Sequence, residues 1–298
     1  MNPLALWNNR DMWRSPEAYA GYVRRCGATP QAAFFLRSSA EAGVYPQGDN
    51  GWRYKFERLA VHDKLGKAYG LCEIAGQGST FERALRIMDW LSAHVWYNGM
   101  SVITPSFCRG KRAGSLRRLR FSYGKFFWRA LNCAHMAYIL ADCLISAGIQ
   151  AIPLAITNDS YWPGDNPGKG PCHAVVHAWL PKERRWIMLA PSFNAYITDG
   201  EGRVLNLVEL QAAHRAGERI HIAQYSFNGT QDCKAEYLSG FVLGALINIH
   251  AWDGTADLSS FARNKLLPEG VPLENANARA ITTTELLAEP IAKETVLP

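Results

Sequence analysis

The chain has 298 residues, 48 % of them hydrophobic, with 10 Trp, 12 Tyr and 12 Phe; this suits one large or two small packed domains and excludes a disordered polymer. No apolar run approaches the ~18 residues of a membrane helix. The N-terminus shows no basic segment followed by an apolar run, so a cytoplasmic protein without a secretory signal or membrane association is expected. The net charge of +6 is unevenly placed: no Asp or Glu occurs between Trp90 and Ala141, where eight Lys and Arg fall. Such a run is either a solvated loop or a docking surface for an anionic partner.

The seven cysteines are odd in number and none is spaced C-x-x-C, which argues against a disulfide framework and a structural zinc site. A reducing compartment fits this usage, with most thiols buried as small apolar groups.

In chain order, the first 45 residues are rich in Ala, Arg and aromatics and read as helical and irregular. Residues 46–52, PQGDNGW, form a turn cluster. Thr80 opens a helix with Glu82 and Arg83 in its first turn and Ala84, Leu85, Ile87, Met88 and Leu91 as an apolar stripe. Its end is expected near Tyr97-Asn98-Gly99. A loop carrying the basic run follows. Asn132 then serves as N-cap of a helix from Cys133 to Ala147, and Gly148 stops it. Residues 150–157 read as a strand, 158–171 as a turn-rich loop, 172–180 and 185–189 as strands joined at Pro181–Arg184. Residues 237–252 are apolar and aromatic and return to the core, and the tail from about Leu267 is loop with a short helix. A helix followed by an antiparallel sheet is α+β order.

Cys133 opens a helix, and a helix N-terminus in acid-free surroundings stabilises a thiolate, the form that acts as a nucleophile. The alternative is a small core residue. Strand alternation places His173, Val175, His177 and Trp179 on one face. A neutral imidazole there could accept a thiol proton, or it could be a buried structural histidine. His173 and His177 lie roughly 13 Å apart along a strand, so both cannot serve one sulfur.

The segment NCAHMAYILADCLISAGIQAIPLAIT resembles the nucleophile helix of the transglutaminase-like superfamily, with Cys133 fifteen residues before Gly148. The segment HAVVHAWLPKERRWIMLAPSFNAYITDGEG resembles that family's histidine strand, hairpin and aspartate strand, in the same order. The resemblance covers roughly residues 80–210. It implies a papain-like, transglutaminase-like cysteine fold with the nucleophile helix packed on an antiparallel sheet. An N-terminal extension would occupy 1–79 and a C-terminal one 211–298. It implies Cys133 as nucleophile and His173 as base, with His177 the runner-up where the family carries a non-catalytic acid. The family's orienting aspartate before proline is here Ala190, followed by Pro191. Asn194 is then the nearest substitute and Asp199 a more remote one; a Cys-His dyad or a catalytically dead domain are the other outcomes.

The implied reaction is acyl transfer through a Cys133 thioester, forming or hydrolysing an amide, with no cofactor and no metal. The oxyanion would be held by the Cys133 backbone N–H and a second donor. An amide synthase using carrier-bound acyl groups, a peptidase or amidase, and a non-catalytic binding module are the alternatives. The six cations Arg109, Lys111, Arg112, Arg117, Arg118 and Arg120 directly precede the nucleophile helix and could dock an acidic carrier protein. No aromatic residue interleaves them for base stacking, so nucleic acid is not expected.

Overall fold

The computed structural model describes residues 44–56, 58–97, 114–125, 129–157, 172–231, 234, 242–243, 246, 248–251, 264–267 and 279–292. The expected N-terminal helical region up to residue 43, the 158–171 loop, and Arg109, Lys111 and Arg112 lie outside them.

Strand β1 (Lys55–Phe56) precedes helices α1 (Ala60–Tyr69) and α2 (Leu71–Ala75). Helix α3 (Thr80–His94) starts at a reciprocal cap: Glu82 N–H donates to Ser79 Oγ at 3.2 Å, and Ser79 N–H donates to Glu82 Oε2 at 2.8 Å. It stops three residues before the expected Tyr97. Val95 turns extended, and Tyr97 forms a bridge with Leu131 instead of another helical turn.

The stretch read as a basic loop is in part a helix, α4 (Gly114–Ser122). Its apolar Leu119 is buried, but so are Ser115, Arg118 and Ser122, so the buried face is mostly polar and shows no hydrophobic stripe in the sequence.

Helix α5 (Cys133–Ser146) begins where Asn132 Oδ1 accepts the His135 N–H at 3.0 Å. Gly148, at φ 80°, reverses the chain after it. The chain then forms β2 (Ala151–Thr157), β3 (Cys172–Leu180) and β4 (Arg185–Leu189). After a 3-10 turn at Pro191–Phe193 come β5 (Tyr196–Asp199), α6 (Leu207–Arg215), β6 (Ile220–Gln224) and β7 (Asn248–Ala251). The described chain closes with β8 (Asn264–Leu266), β9 (Arg279–Ile281), α7 (Thr283–Leu287) and β10 (Ile291–Ala292).

One sheet has strand order β4-β3-β2-β7-β8-β9; all its pairings are antiparallel except the parallel β8–β9 pair. The architecture is therefore α+β. Helix α5 packs on β2 and β3 with one side and on α1, α3 and α4 with others. Ten of its fourteen residues are buried, which makes it the centre of the core.

The apolar cluster runs without a break from Tyr45 to Leu286, across the divisions read at 79/80 and 210/211; the second of these falls inside α6. Among the described residues, no helix is long and apolar enough to cross a membrane.

The rotation of α5 is fixed by a buried polar contact. His62 Nδ1 accepts the Leu59 N–H at 2.8 Å, which places the imidazole proton on Nε2. Nε2 then donates to Asp142 Oδ1 at 3.0 Å, with both side chains buried. Replacing His62 with Leu removes this donor from a buried carboxylate. Urea unfolding of that variant should show a loss of ~2–3 kcal/mol.

Candidate active site

Two contacts orient α5 against α1: Asp142 faces His62, and Ser146 lies 3.6 Å from where a Cβ on Gly66 would stand. At about 100° per residue, the side opposite Asp142 carries Cys133, Ala137, Leu140 and Leu144. Cys133 is the first residue of α5, half-buried, reduced, and packed against the apolar cluster.

The antiparallel register fixes what stands at the same end. Because β2 runs back along α5, its final residue Thr157 returns to the Cys133 end. Thr157 pairs with Cys172 and Ile156 with His173, so β3 begins there too. A chain of contacts leads from His173 to the start of α5. The His173 ring meets Phe193 edge-on at 5.7 Å, Phe193 meets Tyr97 edge-on at 5.2 Å, and Tyr97 bridges to Leu131, two residues before Cys133. The 3-10 turn that carries Phe193 packs on both α5 and β3.

His173 is 1 % exposed, and burial lowers its pKa from the ordinary value to about 3. It is therefore neutral at pH 7.

His177 is equally buried, with its pKa also lowered to about 3 by burial, but its lone pair is committed: Nε2 accepts the Leu207 N–H at 3.1 Å. This satisfies the first N–H of α6, one of the donors a helix leaves open at its start. The ring also stacks on Trp186 at a centroid distance of 6.2 Å.

Asn194 sits at the end of the 3-10 turn with φ 43°. Its Nδ2 donates to Asp89 Oδ1 at 2.8 Å, and its Oδ1 accepts from Gln224 Nε2 at 3.2 Å. The amide thus ties the turn to α3 and β6. Ala190 is fully buried, with its N–H donating to the Ala195 carbonyl at 2.8 Å. Asp199 is occupied by Arg203 at 2.9 Å, which holds its carboxyl below the usual carboxylate range.

The sequence reading did not single out His250 on β7, which lies in the run read simply as core. Its Nε2 lies 3.1 Å from Thr157 Oγ1, at the Cys133 end, and burial lowers its pKa to about 3. His250 pairs with Ala155 while His173 pairs with Ile156, so the two imidazoles point to opposite faces of the sheet. Only the spatial neighbourhood of β2 and β7 identifies His250; no sequence spacing does.

Of the six cations expected to form one surface, Arg117 and Arg120 are exposed on α4, but Arg118 is buried at 2 % exposure. It packs into the α4–α5 interface because α4 is helical there and turns residue 118 inward. Among the described residues, no group of three or more His, Cys, Asp or Glu is placed to hold a metal.

No family model, curated protein or solved structure matches the chain.

The buried histidines His173, His177 and His250 make stability acid-sensitive. Between pH 6.5 and about 3 the unfolded chain binds protons at these sites and the folded one does not, so stability falls as pH drops through that window. His177→Gln keeps an acceptor for the Leu207 N–H and removes one titration. Its urea-derived stability should fall less steeply between pH 6 and pH 4 than that of the parent, by up to ~1.4 kcal/mol per pH unit.

Proposed function

We propose that the chain is a cysteine enzyme catalysing acyl transfer, with a transglutaminase-type, papain-like arrangement of helix and sheet. One observation carries this reading: Cys133 opens the central helix and shares an end of the molecule with the neutral imidazole of His173.

In this scheme His173 takes the Cys133 thiol proton as sulfur attacks the carbonyl carbon of an amide or thioester. The carbonyl electron pair moves to oxygen, which the Cys133 N–H at the helix start can stabilise. Collapse expels an amine or thiol, which takes the proton from His173, and leaves an acyl thioester on Cys133. An amine or water then attacks, gives its proton to His173, and restores the thiol as the acyl product leaves. The two outcomes are amide formation and hydrolysis. An acidic carrier protein bringing the acyl group would dock on the exposed Arg117 and Arg120. Buried Arg118 cannot take part in such docking.

The second reading is a non-catalytic binding module. It is favoured by the sealed apolar position of Ala190, where the resembled family has its orienting acid, and by the use of the Asn194 amide in bonds to Asp89 and Gln224.

Iodoacetamide labelling against pH, read residue by residue, separates the two. Cys72 is exposed and is the internal reference for an unactivated thiol. An activated Cys133 should alkylate faster than Cys72 at pH 6–7 even though it is less exposed. If Cys133 alkylates no faster than Cys72 in that range, the catalytic reading fails. On a panel of small acyl thioesters, Cys133→Ala should abolish turnover. His173→Ala should lower kcat by ~10²–10⁴-fold, whereas His250→Ala, on the other sheet face, should leave the chemical step in place.

A further inference from the structure

Two distant segments of the described chain meet on one carboxylate. Glu285 of α7 is 1 % exposed, and both of its oxygens are in use. Oε1 accepts the Trp52 N–H at 2.7 Å and an Arg279 guanidinium N–H at 3.0 Å, and Oε2 accepts the Thr282 N–H at 2.8 Å. The groups that Glu285 fixes reach back to the same segment. Arg279 also donates to the Asn50 carbonyl at 3.3 Å, and the Thr282 hydroxyl donates to the Gly48 carbonyl at 2.7 Å. The Thr283 N–H donates to the Pro46 carbonyl at 3.2 Å. Of these four bonds between residues 46–52 and 279–285, three pass through Glu285 or through a residue it holds.

Regular structure adds little to this junction. Residues 44–54 form neither helix nor strand. Strand β1 pairs with β10 over two residues and β9 with β8 over three, and both pairs are parallel, whereas the rest of the six-stranded sheet is antiparallel. Pairs so short are marginal on their own, and parallel ones are slightly weaker per residue. The segment from β9 to β10 nonetheless touches both edges of that sheet. Strand β9 is one edge, and on β4, the other, Trp186 Nε1 donates to the Ala288 carbonyl at 3.0 Å. Buried Ile281 and Leu286 from one side and Tyr45, Trp52 and Tyr54 from the other add the apolar contact that keeps the junction closed at rest.

We propose that residues 279–292 are a releasable strap pinned by Glu285, and that the strap and residues 46–56 open together as one unit while α5, β2 and β3 stay folded. A buried carboxylate is stable only while its donors are present. Loss of one leaves the charge short of partners, so the remaining bonds weaken with it and opening becomes all-or-none. Release uncovers the Trp186 indole, which is 2 % exposed in the closed state and stacks on His177. The strap does not depend on the acyl chemistry proposed for Cys133.

Hydrogen exchange of the full chain, read peptide by peptide at pH 7, is the test. Glu285→Gln keeps the shape of the side chain but replaces one acceptor oxygen with a donor that faces other N–H groups. Exchange in 46–56 and in 279–292 should quicken by about tenfold or more, by the same factor in both, while α5, β2 and β3 exchange as in the parent. Thr282→Val removes the hydroxyl that joins Gly48 to the start of α7 and should give the same pattern to a smaller extent; it also serves if Glu285→Gln does not fold. Arg184→Ala removes only the exposed ion pair with Glu289 and should change neither segment. Equal acceleration along the whole chain, acceleration in only one of the two segments, no change, or failure of both the Glu285 and Thr282 variants to fold would overturn the proposal.

Discussion

The hydrogen bond between His62 and Asp142 is the contact on which the rest of the molecule turns. A helix buried on nearly all sides could satisfy its apolar contacts in several rotations, because Leu, Ile and Met are interchangeable to first order in such a core. A carboxylate in that core has far fewer solutions, since it must meet its donor. With Asp142 committed to α1, Ser146 falls against Gly66 and the helix is held in one rotation. The buried polar pair thus contributes orientation of the helix as well as stability.

The sheet completes the arrangement through register. Gly148 turns the chain so that β2 retraces α5, and the antiparallel pairing of β2 with β3 returns His173 to the level where the helix began. One residue of slip would send His173 to the other face and bring Ala174 into its place. That slip is resisted because Val175 and Val176, on opposite faces of β3, are both fully buried, as are Leu154 and Ile156 on β2. Apolar packing on both faces therefore sets the position of a polar side chain.

Elements whose signals are local were legible in the sequence. The Ser79–Glu82 cap, the Asn132 cap, Gly148 and the period-two strands at 151–157, 172–180 and 185–189 all appear as read, within a residue or two at their ends. What stayed hidden depends on distance in the chain. Helix α4 buries a polar face, so its periodicity looked like a charged loop. The His62–Asp142 bond spans 80 residues, and the Asp89–Asn194 bond spans 105. For the same reason Asn194 looked available as an orienting group, while in the fold its amide serves α3. His177 and His173 looked alike on one strand face, and only the arrival of the Leu207 N–H from another element distinguishes them.

The depth at which His173 is held bears on how a Cys133–His173 pair could work. A cation there is disfavoured by burial, so a resting thiolate–imidazolium pair would have to overcome that cost without a buried aspartate at position 190 to offset it. The arrangement suits a neutral pair better, with the proton moving only as sulfur bonds to carbon. In that regime the developing charge is divided between the imidazolium and the oxyanion at the helix start, so each partly compensates the other in the transition state. The helix N-terminus then matters most at the moment of attack, when negative charge reaches the carbonyl oxygen, and less for the ground state of the thiol.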